Sequence, residues 1–373
     1  MPAAPILRVP RPSRVTSFLS ARLGQPMIDA DVVQWVLEQF GFDVRSSPRN
    51  LRLSRRSLNA AVATDRGPKV VKQYRPDWKA STVAYGHSVL TRLEELEYPA
   101  VRLERTDDGR SFVESDERVF AVFDFVPGTN YSLNYLIRSQ RLALTAVAAR
   151  TLAAMHLALR AFEPTGAHHL GFSSMTGPRW RDAAWHRAKV AELVQRSASE
   201  RGVASAWVER LRHEAARLVD EIEVLDRALS EAELVRLVIH GDYGLHNLLY
   251  SRGVAIPVDF EVARLDWRVN DLVSALGKHR YRGGHYDFES MEVFARAYGA
   301  VYPLTAIEQE KFADAWRLYK LQAAVQYWNG YFQTNGPVRK LASAVDSIEQ
   351  ASWVEENSPV LGDLAAVAGG GRR

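Results

Sequence analysis

Apolar positions recur at three- and four-residue spacing in DADVVQWVLEQFGF, where Val33, Val36, Leu37 and Phe40 fall on one stripe. Asp29 or Asp31 can cap this helix, and Gly41 is placed to stop it. The pattern then switches to alternation in NLRLSRRSLNAAVATDRGPKVVKQYRP. Leu51 and Leu53 alternate with polar residues, as do the positions around Ala61 and Val62, and the DRG turn at 65–67 leads into KVVKQY. A hairpin followed by a third strand edge is predicted. STVAYGHSVLTRLEELEYPAVRL returns to helical spacing with Val83, Leu90 and Leu93, and Pro99 ends it. Asp107, Asp108 and Gly109 then predict a turn joining two strands; the second, RVFAVFDFV, is almost wholly apolar, as a central strand is.

Pro127 and Gly128 stop that strand, and beyond about residue 132 helical patterns dominate. TAVAARTLAAMHLAL sets Leu152, Met155 and Leu159 together, and the segment 305–332 aligns Phe312, Trp316, Tyr319, Ala323 and Tyr327. The exception is 236–262, which reads as loop, short strand, turn and short strand. No internal repeat is present. The fold class predicted is α+β in two lobes: a flexible lead (1–28), a sheet-rich N-lobe (29–126), a helical C-lobe (127–360) and a flexible tail (361–373). A ligand cleft between the lobes is the default for such a layout.

Composition narrows the classes. At 47% hydrophobic, 373 residues suffice for two lobes of ordinary domain size. Lys+Arg 48 against Asp+Glu 44 gives +4 with the signs interspersed, so no nucleic-acid stripe is predicted, while small anions such as nucleotides suit the balance. The absence of cysteine removes disulfides, thiolate metal sites and a cysteine nucleophile, and fits a reducing, cytoplasmic setting. No apolar run approaches the roughly 20 residues of a membrane span, so no membrane partner is expected. The lead has no acid before Asp29 and carries Arg8, Arg11, Arg14 and Arg22; Pro2, Pro5, Pro10 and Pro12 favour disorder over a transit peptide.

The chemistry concentrates in VIHGDYGLHNLLY (238–250) and VAIPVDFEVAR (254–264). Asp242 and Asn247 stand five residues apart, as the catalytic Asp and Asn do in a kinase catalytic loop, and Asp259 follows across a strand-turn-strand. Phosphoryl transfer asks for an in-line hydroxyl and a cation on the triphosphate. One carboxylate can orient the hydroxyl, while an amide and a second carboxylate supply oxygen ligands to Mg2+. The flanks LVI, LLY and IPV argue against a solvated loop.

HGDYGLHN followed by VDFE resembles the aminoglycoside phosphotransferase/choline kinase-like family, which shares the protein-kinase fold; a protein kinase would show H-R-D and D-F-G. The segments VVQWVLEQFGFDV, LSRRSLNAAVAT and VVKQYRP resemble its spore-coat-kinase and type II homoserine kinase branch, and the likeness covers about 30–335. It implies a small-molecule kinase using ATP and Mg2+, with a small-molecule hydroxyl as acceptor: an amino sugar, an aminoglycoside, an amino alcohol or a related natural product. It implies Asp242 as catalytic base or hydroxyl-orienting residue, His240 as a brace of the catalytic loop, and Asn247 and Asp259 as metal ligands. Lys72 would contact the α/β phosphates with Lys69 on the opposite strand face, and Asp124, Phe125 and Val126 would meet the adenine edge. Asp271 would be structural.

Two departures accompany the likeness. LSRRSLN lacks glycine, which leaves Ser54, Ser57 and Asn59, or Arg55 and Arg56, to meet phosphate. Gly86 occupies the place of the helix glutamate that pairs with the strand lysine, and Glu94 and Glu95 lie roughly 12 Å further along the helix. These departures support a rival reading, a catalytically silent nucleotide-binding or scaffold protein; retention of Asp242, Asn247 and Asp259 opposes it. His168-His169 lacks further ligands at metal spacing and reads as a polar loop. His246 reads as loop scaffolding, and Tyr327, Trp328, Tyr331 and Phe332 as core before substrate wall. Asp266, Asp287 and Glu289 are either amino-group ligands or a solvated face.

Overall fold

The computed structural model describes residues 27–51, 57–132, 135–166, 168–281, 284–333 and 336–371. The lead expected over 1–28 falls outside these except for Met27 and Ile28, and Ser54, Arg55 and Arg56 lie wholly outside. The fold is α+β and kinase-like, an antiparallel sheet followed by a mainly helical region. In the N-lobe, α1 (Ala30–Gln39) precedes β1 (Arg49–Leu51), β2 (Leu58–Thr64), β3 (Gly67–Gln73), α2 (Ala80–Glu95), β4 (Val113–Ser115) and β5 (Arg118–Asp124). The five strands pair antiparallel in the order β1-β2-β3-β5-β4.

Both faces of β5 are buried, which explains its apolar run. Phe120 and Val122 join Val62, Val71 and the α1 stripe of Val33, Val36, Leu37 and Phe40 on one face; Val119, Ala121 and Phe123 join Val83, Val89 and Leu93 of α2 on the other. The hairpin turn sits later than expected. Asp116 and Glu117, both at positive φ (48° and 60°), join β4 to β5, while 107–109 closes a separate loop through the Gly109 N–H to Thr106 C=O bond. Two central residues at positive φ match the right-handed strand twist, a requirement more often met by Asn or Gly and therefore hidden in an Asp-Glu pair.

The C-lobe comprises α3 (Arg138–Leu159), α4 (Ala183–Ser197), α5 (Ser205–Glu231), α6 (Val269–Gly277), α7 (Phe288–Gly299), α8 (Ala306–Glu310), α9 (Phe312–Gln333), α10 (Arg339–Glu356) and α11 (Ser358–Ala368). Two antiparallel pairs lie among them, β6 (Arg236–Ile239) with β9 (Arg264–Trp267) and β7 (Leu248–Ser251) with β8 (Val254–Pro257). Two expectations are corrected. The tail placed at 361–373 is helical to Ala368, because Leu361, Leu364, Ala365 and Val367 bury one side of α11. By length and composition α3 is apolar enough to cross a membrane; here Leu152, Ala153, Met155 and Leu159 bury it in the core, and it packs on α7.

Candidate active site

The loop between β6 and β7 is held from below by one carboxylate. Asp271, fully buried on α6, accepts the backbone N–H of His240 at 2.6 Å and of Gly241 at 2.8 Å, and the His156 ring at 3.2 Å. Burial alone would raise its pKa, but these donors hold it below the ordinary carboxylate value. His240 is equally buried. Its Nε2 bonds the Val258 carbonyl at 3.0 Å and its Nδ1 accepts the Asp242 N–H at 3.3 Å, so burial keeps the ring neutral and both nitrogens are occupied. It positions the loop, linking Asp242 to the strand that delivers Asp259.

Asp242 stands at the cleft with its side chain 46% exposed. Burial would raise its pKa; Lys278 and His246 reverse this and hold it far below the usual carboxylate range. Lys278 Nζ lies 2.6 Å from Oδ1 and donates to the Tyr243 carbonyl at 2.8 Å, while His246 Nε2 is 3.4 Å from Oδ2. Asn247 donates its amide to the Asp242 carbonyl at 2.9 Å and to Oδ2 at 3.1 Å, which leaves its oxygen for a cation. Lys278 reaches Asp242 across Gly244, where a Cβ would stand 2.5 Å from the lysine Cδ. The Asn130 amide lies 2.8–3.0 Å from the carbonyls of Leu245, His246 and Leu248, tying the segment after β5 to this loop.

Lys72 and Lys69 take opposite faces of β3, as period two requires. Lys69 pairs with Glu104 at 2.5 Å and Asp124 at 2.6 Å. Lys72 turns into the cleft, 2.8 Å from Asp259 Oδ1 and 2.7 Å from Glu261 Oε1. Burial acts to lower its pKa, and the two carboxylates more than offset this and raise it. Glu261 therefore fills the role that Gly86 leaves vacant on α2. A side chain at Gly86 would place its Cβ 3.2 Å from the Phe260 carbonyl, so the glycine lets the Asp259–Glu261 turn lie against the helix. Asp259 holds a left-handed φ of 67°, a strained conformation for a non-glycine residue that clusters at functional sites.

The remaining expectations sort by geometry. Ser57 is fully buried at the start of β2, without an exposed face for phosphate, and Asn59 is buried as well. The N–H of Asp124 bonds the Arg102 carbonyl and that of Phe125 the Pro68 carbonyl, so these two backbone donors of the expected trio are already occupied. Asp266 holds Arg264 and Asn270, Asp287 caps α7 and pairs with Arg141, and Glu289 pairs with Arg138; these acids are structural. His168 bonds the Glu261 carbonyl, and Trp328 is core. Sequence reasoning missed Lys278, Asn130 and Glu261. Only Glu261 carried a signal, as the acid beside Asp259 in VDFEV.

Beside Asp242, Asp259 and Glu261 opens a cavity of about 370 Å³, lined also by α4 and α9 residues including Trp185, Tyr319 and Tyr327. Residues 51–311 match the phosphotransferase enzyme family APH, more than half of the chain. The chain belongs to that family. It is a small-molecule kinase of the APH type, an ATP-binding transferase. A search of curated proteins gives no significant match. Among solved structures it is similar to spectinomycin phosphotransferase APH(9)-Ia with ADP and spectinomycin (12% identity, TM-score 0.57, 88% of this chain and 97% of that one). It is also similar to the amicoumacin kinase hAmiN with AMP-PNP, Ca2+ and Ami (12%, 0.55, 88% and 90%). A microcompartment-associated aminopropanol kinase matches at 17% and 0.56, over 90% and 99%. At such identities the likeness carries the fold.

One prediction follows from the lysine's partners. Glu261→Gln leaves Lys72 with a single carboxylate in a buried setting, and kcat/KM for ATP should fall about tenfold to a hundredfold. Steady-state kinetics at varied ATP check this; an unchanged value would return Glu261 to a packing role.

Proposed function

We propose that the protein transfers the γ-phosphoryl group of Mg-ATP to a hydroxyl of a small molecule bound in the cavity beside Asp242. The observation that supports this best is that Asp242 and Asp259 line one cavity while Asn247 bonds Asp242 and Lys72 bonds Asp259. The Asp242 carboxylate, kept ionised by Lys278, accepts a hydrogen bond from the acceptor hydroxyl and aims its lone pair. The hydroxyl oxygen forms the new bond to phosphorus as the bond to the ADP oxygen breaks, and the hydroxyl proton passes to Asp242.

Asn247 and Asp259 present an amide oxygen and a carboxylate oxygen, the hard ligands that suit Mg2+, which takes one or two protein carboxylates beside phosphate and water. When bound, the cation offsets the charge of the triphosphate. Lys72, fixed by Asp259 and Glu261, is the positive partner for the remaining phosphate oxygens. That pairing supports an active enzyme over a silent nucleotide-binding protein, since the missing helix glutamate was the main ground for silence. The test is ADP release with Mg-ATP across amino sugars, amino alcohols, polyols and hydroxy acids. Acceptor-dependent ADP formation that stops on chelation is expected. Nucleotide binding without turnover of any acceptor would favour the silent reading.

A further inference from the structure

Cations line much of the cavity beside the catalytic loop, with Lys340 of α10 joining four arginines. Arg75 enters from the chain after β3, Arg179 and Arg181 from the segment before α4, and Arg264 from β9. The carboxylates facing the same space are Asp242, Asp259 and Glu261; each is ion-paired with Lys278 or Lys72, and Glu261 Oε1 makes that charge contact without a hydrogen bond. Three of the arginines are matched too: Arg75 by Asp77, Arg179 by Asp226 and Arg264 by Asp266. Arg181 has no carboxylate partner among the described residues. It lies 4.7 Å over the Trp185 ring, and burial, with the charges of Arg264 and Arg75, pulls its pKa down to about 10.

Two further donors of lining residues lack acceptors. Arg179 Nε and Gln322 Nε2 are buried with no hydrogen-bond partner among the described residues. A buried donor left unsatisfied costs free energy, and an unpaired half-buried guanidinium costs more, unless a ligand supplies the acceptor oxygens. Planar, forked guanidinium donors match carboxylate and phosphate oxygens. A polycationic acceptor would instead be repelled by Arg181.

We propose that the acceptor carries an anionic group, a carboxylate or a phosphate, which seats against Arg181 while its hydroxyl meets Asp242. The inference rests on the phosphotransfer reading above and names its substrate class. It favours hydroxy acids and acidic sugars over aminoglycosides.

Two charge series on a constant skeleton test it: glucuronate, glucose 6-phosphate, glucose and glucosamine, and glycerate, glycerol and serinol. ADP release with Mg-ATP is measured for wild type and for Arg181→Glu. In wild type the anionic members should exceed the neutral and cationic ones in kcat/KM by about tenfold or more, the worth of one charge-assisted pair. Preference between glucuronate and glucose 6-phosphate separates carboxylate from phosphate. Arg181→Glu should raise KM for the anionic acceptors and reverse the order within each series, with a smaller change in KM for ATP. Neutral or cationic members turned over as well as the acids would overturn the inference and leave the kinase reading standing. So would an Arg181→Glu enzyme that loses ATP affinity with every acceptor alike, because Arg181 would then serve the nucleotide. Saturable nucleotide binding without turnover of any member would overturn the kinase reading, and this inference with it.

Discussion

Asp242→Asn lowers kcat by about 10³-fold, within the range of an oriented general base, while nucleotide-induced thermal stabilisation is retained. The substitution keeps the shape of the side chain and removes the proton acceptor. It also releases Lys278 from its 2.6 Å ion pair, but that ammonium still donates to the Tyr243 carbonyl and is 29% exposed, so the fold bears the change. Acceptor-dependent ADP release in single-turnover and steady-state modes measures the effect, with melting temperature as the control. Because Lys278 and His246 hold the Asp242 carboxyl below its ordinary value of 3.8, wild-type activity should keep this base ionised at every pH above about 4. A variant with kcat within tenfold of wild type would remove Asp242 from the reaction.

The parts of this site legible in the sequence are those whose chemistry is local. Asp242, Asn247 and Asp259 sit in one stretch of short strands and turns, and their spacing is imposed by the backbone that delivers them. The alternation in KVVKQY likewise separated Lys72 from Lys69. Lys278 could not be read in this way. It stands 36 residues beyond Asp242 in sequence, and its approach depends on α6 ending beneath the catalytic loop and on the room left at Gly244. The partner of Lys72 was sought on α2 because a helix usually supplies it. Glu261, 189 residues after Lys72, does so because Phe260 packs its carbonyl against Gly86. A loss at one position offset by a gain at another is a three-dimensional fact, invisible to spacing within either segment. The helix of the final residues is carried by the stripe of Leu361, Leu364, Ala365 and Ala368, too short a pattern to stand out beside the glycines that follow it.

Asp271→Ala should destabilise the protein by about 3–5 kcal/mol, the usual cost of breaking a buried charged network, and should lower kcat as well. The carboxylate is the common acceptor for the His240 and Gly241 N–H groups and for His156, whose Nδ1 bonds the Tyr298 hydroxyl at 2.8 Å. Removing it leaves these donors unpaired where water cannot replace the partner. It also frees the peptide segment that carries Asp242, so activity and stability fall together. Asp271→Asn keeps the volume and one acceptor oxygen, and should lie between wild type and the alanine variant in both readouts. The pH dependence separates charge from packing. The folded-state pKa of Asp271 is depressed, so its contribution is fully present above the unfolded value near 3.8 and is lost as pH falls through the folded value. The gap between wild type and Asp271→Asn should therefore be constant from pH 5 to 8 as far as this group is concerned, and shrink in acid. Urea denaturation at a series of pH values measures it. A gap below about 1 kcal/mol at pH 7, with kcat unchanged, would show that the catalytic loop is held by its apolar flanks instead.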